Sequence, residues 1–241
     1  MTRKNQKHPH SKHRRQGTTL RFNFLDWLFL AVGLIASITT IITDHEHTSI
    51  YIAASLLALN CAIIGTLLSI KGRRTNFIFS FVNAITYCFV AWSNQFYGSF
   101  VVNALFYAPC AVIGFYSWGK HSRKNQEVIA RKLTLKQDIL LVIIFLTTTA
   151  LLNYILGAVG GQSTLLDSAG NILVIFASIL VALRFREQWL VWLASDLLQL
   201  TMWTSVNDPA TLVLRIFFVI SSIYGYINWR KLVKTSRSKK H

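Results

Sequence analysis

Three residues in the C-terminal half, Trp189, Trp192 and Asp196, hold the most chemistry in this chain. Their spacings of three and four positions put all three side chains on one face of a helix. Counted from the basic end near Glu187, Asp196 lies about nine residues along that helix, roughly 14 Å at helical rise. If the helix crosses a bilayer, the carboxylate sits near its middle. A charge there costs about 2.5–3.5 kcal/mol on insertion scales, so it must face a cavity or a partner. Two indoles on the same stripe offer flat faces to a planar ring, and a cationic ring gains about 1–2 kcal/mol per desolvated face. The combination points to binding of a small aromatic cation within a membrane.

Polar and aromatic residues recur at helical spacing elsewhere. Asn76, Phe79, Asn83 and Tyr87 form one stripe, Asn103 and Tyr107 a second, and Asp167 and Asn171 a third. Asn60 stands alone in an apolar run and reads as an interhelical hydrogen bond. Arg215 lies inside the last apolar run, and a pairing with Asp167 is expected because both fall in the outer third of the membrane. The first stripe belongs to an internal repeat. Residues 72–83 match 185–196 at an offset of 113, which sets Phe79 over Trp192 and Asn83 over Asp196. Gly114-x-x-x-Trp118 matches Gly225-x-x-x-Trp229 at an offset of 111. Duplicated halves with aromatic and polar groups at corresponding depths suggest a small-molecule path between two bundles.

The elements that must position these residues are transmembrane helices. Hydrophobic residues make up 53% of the chain, and the charged 14% is clustered, which leaves long uncharged runs. Eight such runs, at about 23–43, 50–70, 76–93, 99–119, 138–157, 165–183, 188–204 and 210–229, are long enough to cross a hydrocarbon core roughly 30 Å thick. Lys and Arg fall in 3–21, 71–74, 120–136, 184–186 and 230–240, whereas the alternate loops at 44–49, 93–98, 158–164 and 205–209 have none. With eight crossings all these basic segments fall on one side, and the positive-inside rule puts both termini in the cytosol. The expected fold class is all-α integral membrane. Its parts are a basic tail (1–22), an extra transmembrane helix (23–43), a three-helix bundle (50–119), a cytosolic linker (120–136), a linking helix (137–157), a second, parallel three-helix bundle (165–230) and a basic tail (231–241).

A net charge of +16 would suggest nucleic acid in a soluble chain. Here the basic tails flank apolar spans, so the expected partner is the lipid bilayer with its anionic headgroups, and not nucleic acid. Asp44-His45-Glu46-His47 lacks HExxH or CxxC spacing and reads as a solvated loop, so no metal site is expected. Neither a Walker A segment nor a GxSxG element occurs, and neither an enzyme nor a cofactor is expected. Cys61, Cys88 and Cys110 fall in three different spans and read as packing residues.

On these residues the chain resembles the nicotinamide riboside transporter (PnuC) family. The resemblance is carried by Leu166-Asp167-Ser168, by Trp189-x-x-Trp192-x-x-x-Asp196, by the two Gly-x-x-x-Trp endings, and by Tyr97 and Asn103, and it covers about 55–232. It implies a fold similar to the full-length sugar-transporting SWEET proteins, with two parallel three-helix bundles joined by an inverting helix. It also implies a homotrimer in the bacterial cytoplasmic membrane, each subunit with its own pathway, passing an unphosphorylated vitamin down its gradient. The tryptophans and the polar residue after them line the family's substrate site, a role that falls here on Trp189, Trp192 and Asp196. Two positions depart from the family pattern: Asp196 stands where nicotinamide riboside carriers usually have Asn, and Arg215 where an aromatic residue is commoner.

The expected function is uptake of nicotinamide riboside, or a closely related B vitamin with a cationic ring, by facilitated diffusion with alternating access. The candidate substrate-binding set is Trp189, Trp192, Asp196, Asn83, Phe79, Asn76, Asn103, Tyr87, Asp167 and Asn171. The alternatives are a carrier of thiamine or another vitamin within the same family, a proton-coupled carrier titrating Asp196 or Asp167, and a membrane sensor or scaffold.

Overall fold

The computed structural model describes residues 23–43, 48–94, 97–123, 127–158, 164–203 and 209–238. Their helices are α1 (Phe24–Thr43), α2 (Ser49–Ile70), α3 (Asn76–Ser93), α4 (Tyr97–Val102), α5 (Ala108–Lys120), α6 (Leu135–Ala158), α7 (Thr164–Ala182), α8 (Gln188–Trp203) and α9 (Pro209–Ser238). Long apolar runs have this outcome in lipid because a helix satisfies every backbone hydrogen bond within its own segment. Among the described residues, five helical stretches are long and apolar enough to cross a membrane: Phe24–Ile42, Ser49–Ile70, Asn76–Ser93, Phe100–Lys120 and Leu135–Ile155.

A single π-helical turn, Asn103–Tyr107, joins α4 to α5. Pro109 accounts for it. Proline has no N–H for the carbonyl four residues back and its ring crowds that group. The turn widens instead, and the Ala108 N–H bonds the Asn103 carbonyl five residues back.

Two groups of helices pack side by side. In one, α3 lies against α2 and α5; in the other, α8 lies between α7 and α9. They meet through α5 on α7 and α2 on α9, while α6 packs on α7. The first helix docks outside, on α2 and α9. Its buried Asp26 accepts a 2.6 Å bond from Lys71 Nζ, and Phe29 meets Phe217 edge-on at 4.8 Å. Asn60 Nδ2 donates to Ser37 Oγ at 2.9 Å, so that residue is an interhelical hydrogen bond.

The basic turns after α2 and α7 are built alike. Gly72 N–H bonds the Ser69 carbonyl and Arg73 N–H the Leu68 carbonyl, both at 2.9 Å. Arg184 N–H bonds the Val181 carbonyl at 3.0 Å and Phe185 N–H the Leu180 carbonyl at 2.9 Å. Both are Schellman turns closed by a left-handed residue, Gly72 at φ 66° and Arg184 at φ 68°. Equivalent atoms therefore lie 112 positions apart, which corrects the expected offset of 113. One residue of slip turns a helical side chain by about 100°. Phe77 thus corresponds to Trp189 and Asn76 to Gln188, and the expected pairings of Phe79 with Trp192 and Asn83 with Asp196 are lost.

The halves are stitched at this end. Trp118 Nε1 donates to the Val181 carbonyl and Trp229 Nε1 to the Ser69 carbonyl, each at 2.9 Å and each into the other half's turn. Both indoles are fully buried, with centroids 5.4 Å apart. The glycine four residues before each tryptophan admits a ring: a Cβ on Gly114 would come within 2.2 Å of Phe77, and one on Gly225 within 2.5 Å of Trp189. The linker then lies across both turns. Val128 N–H bonds the Gly72 carbonyl at 2.9 Å, and Arg131 exchanges backbone bonds of 2.8 and 2.9 Å with Arg184 and Arg186.

Candidate functional site

A cavity in two lobes runs between the halves. The inner lobe, towards the basic turns, has a volume of about 230 Å³ and is walled by α2, α3, the π turn, α5, α7, α8 and α9. The outer lobe, of about 440 Å³, extends towards the opposite end past Tyr87, Asn103 and Asn171. Both lobes are bordered by Ala62, Asn83, Tyr107, Val174, Gln199, Arg215 and Phe218, which form the neck between them.

The chemistry concentrates around α8. Asp196 is buried, and Ser222 Oγ of α9 donates to its carboxylate at 3.1 Å. Trp192, one turn earlier, faces Tyr107 from the π turn with centroids 6.0 Å apart and planes tilted by 33°. Ser178 of α7 lines the same lobe as Tyr107, and its hydroxyl donates to the Val174 carbonyl at 2.8 Å. Trp192 and Tyr107 thus form a wall for a flat ring, drawn from both halves, with a carboxylate beside it. Hydroxyls and amides of Ser80, Asn83, Ser178 and Gln199 supply polar contacts around it. Asp196 and Arg215 are the only charged groups among the described lining residues.

Most of the residues singled out from sequence meet in this cavity. Trp189, Trp192, Asp196, Asn76 and Asn83 line the inner lobe, while Asn83, Tyr87, Asn103 and Asn171 line the outer one. Phe79 does not: it shares the Asn76–Asn83 stripe but lines neither lobe, and its Cβ lies 3.5 Å from where a Cβ on Gly65 of α2 would be. Trp189 is only 4% exposed, so it is part of the inner wall and the seal against Gly225, not an anchor at the lipid interface. Asn76 also closes its own turn, donating from Nδ2 to the Arg73 carbonyl at 2.6 Å.

The side chains of Asp167 and Tyr97, and the whole of 44–47, lie outside the described residues. Arg215, expected beside Asp167, lines the neck within electrostatic reach of Asp196, Tyr87 and Tyr107. Gln199 and Ser222 were not singled out. Gln199 had a readable signal, since it follows Trp192 by seven positions and Asp196 by three on the same stripe. Ser222 had none, because its role depends on how α9 lies on α8.

A helical bundle with a divided, partly polar cavity between two groups of helices suits a membrane transporter, and related proteins establish that class. The profile of the family described as nicotinamide mononucleotide transporter matches residues 52–231. The nicotinamide riboside transporter PnuC of Haemophilus influenzae is 34% identical over 213 residues, covering 86% of this chain and 90% of that protein. The PnuC of Neisseria mucosa is 31% identical over 220 residues, covering 86% and 81%. A crystal structure of the vitamin B3 transporter PnuC superimposes with a TM-score of 0.72 at 26% identity, covering 89% of this chain and 94% of the other. The chain belongs to the PnuC family of membrane transporters. It is a multi-pass protein of the bacterial cytoplasmic membrane and not an enzyme.

Proposed function

We propose that this protein takes up nicotinamide riboside by facilitated diffusion, opening its central site alternately to the two sides of the membrane. The names of the relatives from Haemophilus influenzae and Neisseria mucosa point to that substrate. The divided cavity carries the mechanism: the ring wall of Trp192 and Tyr107 stands where the two lobes approach each other, within reach of both ends. A pyridinium ring lies against that wall, Asp196 balances its charge, and Ser80, Asn83 and Gln199 take the ribose hydroxyls and the amide.

The basic loops face the cytosol by the positive-inside rule, so the inner lobe is the cytosolic one and both termini are cytosolic. The matching turns and reciprocal tryptophan bonds support two parallel three-helix bundles, α2–α5 and α7–α9, linked by α6 and preceded by the extra α1. These bundles rock about the neck during alternating access. The broadly exposed apolar surface of α6 suits lipid and the subunit contacts of a homotrimer with one pathway per chain.

The test is uptake by purified protein in liposomes, with nicotinamide riboside, thiamine and riboflavin compared in parallel. Saturable riboside entry that follows the riboside gradient and ignores an imposed pH gradient is the expected result. Flux of thiamine alone would reassign the substrate, accumulation driven by protons would replace the uniport mechanism, and no flux of any of the three would reject transport of these vitamins.

A further inference from the structure

A monocationic riboside gives Asp196 a counter-charge and leaves Arg215 without one. Arg215 borders both lobes at the neck, and its Nε is buried without a hydrogen bond. Asp196 lines the inner lobe close enough to feel that charge. Among the described residues, however, no direct ion pair joins the two. The carboxylate instead accepts from Ser222, at 3.1 Å. The cavity therefore presents one negative and one positive group with space between them, and its other described lining residues are neutral.

Two opposite charges held apart in a low-dielectric site cancel at a distance but not locally. A monocation placed beside Asp196 leaves the guanidinium as an excess buried charge. A ligand carrying both signs satisfies both groups and brings no net charge with it. Of the anions that could meet Arg215, a carboxylate fits best: its two oxygens match the planar fork of a guanidinium and its single charge matches one arginine. A phosphate monoester brings close to two negative charges to the same group and fits less well.

From this arrangement we infer that the site takes zwitterionic ring-cationic ribosides, with the ring on Trp192 and Tyr107, its positive charge towards Asp196, and a carboxylate on Arg215. Arg215 is then a specificity-determining residue that separates the acid form of the vitamin riboside from the amide form. The inference rests on the reading of the cavity as a pyridinium riboside site.

Nicotinic acid riboside differs from nicotinamide riboside in that one group, which makes the pair a direct probe. Binding of both to the purified protein, and their counterflow in liposomes, would be measured for the wild type, Arg215→Gln and Arg215→Lys. The wild type is expected to bind the acid riboside at least about tenfold tighter than the amide, the scale of one charge-assisted hydrogen bond. Arg215→Gln is expected to lose that preference by weakening the acid riboside far more than the amide, and Arg215→Lys to retain part of it. A wild type that prefers the amide, or an Arg215→Gln variant that weakens both ligands equally, overturns the inference and leaves riboside transport standing. Failure of the wild type to bind either riboside removes the reading beneath it as well.

Discussion

In the half formed by α2 to α5, Phe77 lies on Gly114 and Trp118 reaches the Val181 carbonyl; in the half formed by α7 to α9, Trp189 lies on Gly225 and Trp229 reaches back to the Ser69 carbonyl. Around the cavity this correspondence stops. The first half contributes neutral groups, among them Asn76, Ser80, Asn83 and Tyr107, whereas the second contributes Trp192, Asp196 and Arg215. The difference has a physical origin. The closure at the basic end is reciprocal, with a ring on a glycine and an indole on the opposite carbonyl in each group of helices, so both groups meet the same steric and hydrogen-bonding demands. The riboside proposed as substrate has no such symmetry, which leaves the walls proposed to recognise it free to diverge.

Substitutions in the seal should therefore act in pairs, and substitutions in the walls singly. The largest effects are expected for Gly114→Leu and Gly225→Leu, where the first carbon alone would come within 2.2 and 2.5 Å of the opposing rings. Overpacking of this kind should cost about 3 kcal/mol or more at each site, read as a fall in thermal unfolding temperature in detergent. Tolerance at one glycine but not at the other would break the comparison.

Asp196→Asn comes next and has no counterpart in the first half. It should weaken binding of the cationic riboside by roughly tenfold through loss of a charge-assisted contact, yet leave counterflow intact. Loss of a proton-driven component in the same assay would show that the carboxylate does more than balance charge.

Trp118→Phe and Trp229→Phe should each cost about 0.5–1.5 kcal/mol, the net contribution of one hydrogen bond. The loss stays modest because the Val181 and Ser69 carbonyls still accept from Arg184 and Gly72. The rings touch, so the double variant should depart from additivity, which a thermodynamic cycle would measure.

The smallest effect sharpens a place where the two turns differ in residue type but not in backbone shape. Arg184 adopts φ 68° where its counterpart is Gly72 at 66°. A side chain in that region costs about 1 kcal/mol or more relative to glycine. The Arg184 guanidinium is also buried and lies near Arg131, and both effects hold its pKa below the usual arginine value. Arg184→Gly should accordingly raise stability by about 0.5–1 kcal/mol, and Gly72→Arg should lower it by a similar amount, both measured by thermal unfolding. Destabilisation by Arg184→Gly would mean that the side chain holds the linker in place.

The Asn76–Tyr87 stripe shows where reading the sequence works and where it stops. Asn76, Asn83 and Tyr87 reach the cavity, but Phe79, with the same spacing, packs beside Gly65 of α2 and lines neither lobe. The internal match at 113 is one residue too long because similarity of aromatic residues does not by itself fix a register. The backbone bonds of the Schellman turns set it at 112. Pro109 was visible in the chain, but the π turn that brings Tyr107 opposite Trp192 depends on how the freed backbone group is satisfied.

Composition and period alone determined that this chain is a set of apolar helices, and that Trp189, Trp192 and Asp196 share one face of one of them. A helical repeat sets the direction of each side chain about its own axis, and that needs no neighbour. What the side chain meets is decided elsewhere. Ser222 reaches Asp196 because α9 lies on α8, and Arg215 comes to the neck because α2, α3 and the π turn close around it. Only the packing of helices distant in sequence brings those groups together, and that packing is a property of the folded bundle.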